Sequence, residues 1–179
     1  MPSSAVSLKN LLRRFRGHRR GSAAVEFALV APVFFALLFA IVEVALMFFA
    51  SQVLETVTQA SARYLLTGQA QSGSLTQAQF KTYVCSQIPA MFSCSNLLVD
   101  VESFPNFESI TLNVQPNYGT GQFSGNMQYN PGSPGDVVIV RVFYPWQLFV
   151  TGLGYNISNW PNSQRLLVAT AAFVNEPYN

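Results

Sequence analysis

From Phe27 to Val42 the chain runs sixteen residues without a charge, and past one interruption at Glu43 it stays apolar through residues 44–50. As a helix, residues 27–50 would measure roughly 36 Å at 1.5 Å per residue, against a bilayer hydrocarbon core of about 30 Å. A run this long and apolar reads as one transmembrane helix. Everything else in the chain must then be built on one side of that anchor.

The charges say which side. Lys9, Arg13, Arg14, Arg16, Arg19 and Arg20 precede Gly21, with no acid among residues 1–21. Past Gly21, four basic residues (Arg63, Lys81, Arg141, Arg165) face eight acids. Arginines beside a span hold their flank in the cytoplasm, so the C-terminal part is expected outside. The formal charge of +2 therefore conceals a mildly acidic outer part. That part lacks the clustered Lys and Arg of a nucleic-acid footprint. A cleaved secretory signal is the alternative, but it needs a shorter core and small residues at a cut site. No small-x-small pair occurs between Ala36 and Gln52.

Glu26 lies at the start of the span, where a carboxylate is costly: about 2.5–3.5 kcal/mol at mid-bilayer and less near the interface. It can be an interfacial acid favoured by the positive end of the helix dipole. It can also be waiting for a cation. A cut after Gly21 would create an α-amine on Ser22, four residues away, on this chain or a neighbour.

Gly21, an acid five residues later at Glu26, and the aromatic Phe27 resemble the type III signal of type IV pilins and pseudopilins. The wider block from RRGSAAVEFALVAP to ARYLLTG, residues 19–68, resembles the TadE-like pseudopilins of tight-adherence (Flp) pilus systems. It includes a second acid, Glu43, and the step Ala62, Arg63, Tyr64. The closing FVNEPY is similar to an FRNEP-type ending in those proteins, with Val174 where arginine is common. The resemblance implies a minor pilin that assembles a pilus for surface attachment and biofilm formation. It implies cleavage between Gly21 and Ser22 by an integral-membrane prepilin peptidase. Its partners would be other pilins, the inner-membrane assembly platform and membrane lipid, with no cofactor and no small-molecule substrate. An uncut single-span anchor with a ligand-binding outer domain, and a type II secretion pseudopilin, are the rival readings.

The helical pattern continues past the span. Val53, Leu54, Val57, Ala60, Tyr64 and Leu65 recur at three- and four-residue steps, which predicts one helix from about Ser22 to Leu66. Residues 22–50 form its transmembrane part, residues 51–68 an amphipathic continuation ended by Gly68, and residues 69–179 the outer domain. A polar linker leads to a short helix over residues 77–88, with Thr76 or Ser74 as its cap. Cys85 and Cys94 are the only cysteines. In an oxidising compartment they read as one disulfide. A metal site is not expected, since the one histidine, His18, lies in the basic leader.

Period-two alternation marks strands over residues 97–104, 109–114 and 137–144, and residues 166–174 read as a further, buried strand. Such strands, apolar on one face and covered by the helix stripe, make an α+β, pilin-like plan with a small antiparallel sheet. Asp100 and Glu102 share a strand face, where they are expected to be exposed. They carry no case for catalysis, and no histidine outside the leader is present to act as base. Residues 115–136 and 145–165 read as long loops. Their aromatics Tyr118, Phe123, Tyr129, Trp146 and Trp160 are either subunit contacts or caps on the sheet ends.

Overall fold

The computed structural model describes residues 21–150 and 156–177. The chain divides into two units, Met1–Val42 and Glu43–Asn179. One helix, α1 (Ser22–Leu66), enters both. It is long and apolar enough to cross a membrane once. In the first unit no described position is buried, and only residues 31, 36 and 40 are even half-buried. A helix apolar all round, without protein to cover it, suits lipid. It stays helical through Pro32, as proline near a helix start permits.

In the second unit α1 becomes one-sided. Glu43, Met47, Ala50, Leu54, Val57, Thr58, Ser61, Ala62 and Leu65 are buried, a three- and four-residue stripe that begins at the unit boundary. The expected transmembrane part, residues 22–50, thus overlaps the folded domain by eight residues at its C-terminal end. The helix stops at Thr67 and Gly68. Gly68 takes φ +72°, the left-handed geometry that closes helices at little cost for glycine.

The stripe shares a hydrophobic core with a three-stranded antiparallel sheet of order β1–β4–β5. The strands are β1 (Leu98–Phe104), β4 (Val137–Gln147) and β5 (Gln164–Val174). Alternate residues face that core: Val99 and Val101, then Val138, Val140 and Val142, then Leu167, Ala169 and Ala171. β4 runs three residues further than its alternation suggests, through Pro145. That proline lies beyond the β1 ladder, which ends at the Leu98–Phe143 pair, so no β1 partner is there to want its missing N–H.

The linker after α1 is partly helical, as α2 (Gln69–Ser72), because Ala70 finds a buried seat. Helix α3 (Gln77–Ser86) starts at Thr76, which forms a reciprocal capping box with Gln79. It buries Phe80 and Val84. Cys85 and Cys94 are disulfide-bonded across a Cα separation of 5.8 Å, tying the end of α3 to the turn before β1. Inside that loop Phe92 packs edge-on against Tyr144 and Trp146.

Residues 109–114 are not a strand. They follow a single turn of 3₁₀ helix at Phe107–Ser109 and run irregularly. The Asn113 N–H goes to the Glu102 carboxylate and the Val114 carbonyl to Arg141. Charged side chains thus satisfy a backbone that a ladder would otherwise have to satisfy. Residues 115–136 carry a small hairpin, β2 (Pro116–Asn117) and β3 (Gln122–Phe123). Gly121 closes it at φ +70°, where a Cβ would also meet the Pro161 ring at 2.7 Å. Further on, Gln128 and Asn130 hydrogen-bond Val101, so the segment covers the outer edge of β1.

Candidate functional site

Three places gather the residues that carry charge or a family motif. The first is the start of α1. Gly21 is exposed, and a Cβ built on it meets nothing within 4 Å among the described residues. Its backbone is not in the left-handed region either, so the described fold makes no demand for glycine there. Ser22 opens the helix. Glu26 is exposed, and Phe27 beside it is 68% exposed. Arg13, Arg14, Arg16, Arg19 and Arg20 lie outside the described residues.

The second is Glu43. Its side chain is buried and accepts two backbone hydrogen bonds, from the N–H of Phe149 and of Val150, each at 2.6 Å. Consecutive N–H groups aimed at one carboxylate form an anion-binding concavity. The acid at the boundary of the folded unit is thereby neutralised by backbone dipoles, and the chain leaving β4 is clamped to α1.

The third is a buried ionic cluster on the sheet face turned away from α1. Arg141 on β4 stands opposite Asp100 on β1 in the ladder, and Glu102 lies two residues along β1. One guanidinium nitrogen reaches both carboxylates at 2.7 Å. The other donates to the Val114 carbonyl at 2.6 Å. Asp100 also accepts from the Gln128 N–H, and Glu102 from the Asn113 backbone and side chain. The acids are therefore buried, not exposed as their alternation suggested, because loop residues 110–128 lie over this face. Two carboxylates share one cation. Burial raises the Asp100 carboxyl above its ordinary value of 3.8, while the hydrogen bonds from Gln128 and Arg141 pull against that rise.

The loop aromatics separate by place. Tyr129 packs on Phe80 at the main core and Trp146 lies within that core. Phe123 and Trp160 join Phe143 and Leu166 in a second, smaller cluster. Of the five, Tyr118 alone is exposed, with its ring edge-on to Trp160.

Neither the Arg141 cluster nor the Glu43 clamp was read from the sequence. A weak signal for the first was present: Arg141 is the one cation in a strand of branched apolar residues, and a buried cation needs counter-ions. The clamp had none, since its donors are backbone groups 106 and 107 residues away.

Comparison with known proteins found no match among curated proteins or solved structures. One family model does match, over residues 21–63, and its description is TadE-like protein. The match starts at Gly21 and covers Glu26, Phe27 and Glu43, so over its N-terminal helix this chain is a TadE-like protein.

Proposed function

We propose that the chain is a minor pilin, or pseudopilin, needed to assemble a tight-adherence (Flp) pilus for surface attachment. The observation that carries this reading is the TadE-like match beginning at Gly21, the residue before the expected cut. Two features support it. No neighbour in the described structure explains a glycine at 21, whereas a peptidase that must reach the backbone would favour one. The first unit of α1 also presents apolar side chains on every side, as a segment that moves from lipid into a bundle of like helices must.

In this reading prepilin peptidase cuts between Gly21 and Ser22. The basic residues stay in the cytoplasm and the domain from Glu43 onward faces away from it. The new Ser22 amine and Glu26, of the same or an adjacent subunit, neutralise one another within the membrane. The role is structural: a subunit is positioned among other pilins and the membrane platform, and no bond is made or broken by its own residues.

Mass and N-terminal sequence of the chain extracted from membranes test this. A mature chain starting at Ser22 is expected. A start elsewhere overturns the processing, and an intact 1–21 segment supports an uncut anchor instead. The Glu26→Ala variant is expected to be cleaved yet poorly incorporated into sheared pili. Incorporation equal to wild type would remove Glu26 from assembly.

A further inference from the structure

The apolar surface of α1 does not stop where the folded domain starts. Beyond Glu43, Leu46, Phe48 and Phe49 are all exposed, and the first exposed polar side chain on the helix is Gln52. Across the domain, β4 runs out into residues 148–150. Leu148 is buried, but Phe149 is 79% exposed, the highest value among the described large hydrophobic residues. Both N–H groups of this corner, at Phe149 and Val150, go to the Glu43 carboxylate. The corner is thus fixed at the first turn of the domain's helix, with a bare phenyl ring outermost. The one charge between Phe27 and Leu54 is meanwhile hidden.

Water gives such a surface no stabilisation, and large exposed apolar patches mark contact sites. We propose that this end of the domain is itself a membrane-binding surface. Phe149, with Leu46, Phe48 and Phe49, sits at the boundary of headgroups and acyl chains, and Glu43 is the positioning residue that holds Phe149 there. The bilayer is the occupant because the apolar surface is continuous with the run that ends at Val42. No exposed polar side chain intervenes, and interfacial burial of apolar groups needs no further shape complementarity. The inference rests on the single-span reading above.

Depth-dependent fluorescence quenching separates the two. The full chain is reconstituted in phosphatidylcholine vesicles carrying bromine either near the headgroup or near the bilayer centre. Phe149→Trp reports on the corner and Phe35→Trp on the span, each corrected for wild type, whose Trp146 and Trp160 are buried. The expected result is quenching of the Phe149→Trp signal more by shallow than by deep bromine, with Phe35→Trp quenched as well. Quenching at position 35 with none at 149 overturns the proposal and leaves the anchor standing. Acrylamide access then tells whether water or a partner protein covers the corner. No quenching at position 35 overturns the anchor itself and the membrane surface with it. Adding Glu43→Ala should abolish shallow quenching at 149 while Trp146 and Trp160 stay shielded from acrylamide. Unchanged quenching would remove Glu43 as the positioning residue.

Discussion

Arg141 is held by four acceptor groups from three segments: Asp100 and Glu102 on β1, the Val114 carbonyl, and through the acids the backbones of Asn113 and Gln128. Replacing it with leucine leaves two carboxylates buried without a cation. The expected loss is about 3–5 kcal/mol of unfolding free energy, the usual scale when one partner of a buried ion pair is removed. Denaturant unfolding of the detergent-solubilised chain measures it, and a loss within error of zero would mean the cluster is hydrated in solution. Asp100 adds a pH effect. Its folded-state value is raised above 3.8, so between 3.8 and that raised value the folded chain binds a proton that the unfolded chain does not. Stability from this group therefore increases as pH falls through the raised value and decreases as pH climbs back, opposite to a salt-bridged acid with a lowered value. The Asp100→Asn variant should lack that component of the pH profile of the urea midpoint; an unaltered profile would assign it to another group.

At the scale of elements, legibility followed the source of each element's backbone partners. Helix α1 has its hydrogen bonds within itself, and its expected limits agree with the observed Ser22–Leu66. Strands β1, β4 and β5 were legible because alternation reports a half-buried ladder. Residues 109–114 alternate too, yet their backbone partners are the side chains of Glu102 and Arg141, which no local pattern announces. Two predictions belong here. Leu54→Ala empties a fully buried site on the α1 stripe and should cost about 2–5 kcal/mol, read from the denaturant midpoint. Replacing Cys85 and Cys94 together with serine opens a short loop, and the chain-entropy model puts that loss at roughly 2–3 kcal/mol. The same measurement under reducing conditions should lower wild type to the variant, and failure to do so would show that the bridge is not formed in the purified protein.

The whole molecule has its boundary at Glu43, the first residue of the second unit and the first buried position of α1. A chain beginning at Glu43 is therefore expected to keep the sheet, the disulfide and the helix stripe without the residues before it. Circular dichroism and a single cooperative melt would check this. A molten profile would show that residues before 43 contribute to the core. The sequence by itself determined the apolar run, the basic leader, the TadE-like motif and the period of each main element, because these depend on order along the chain. Only the tertiary structure decided where the membrane-compatible run gives way to the domain, which loop covers Asp100 and Glu102, and what Glu43 binds. Those depend on backbone groups and loop paths distant in sequence, and burial brings them together by excluding water, whose hydrogen bonds they must then replace.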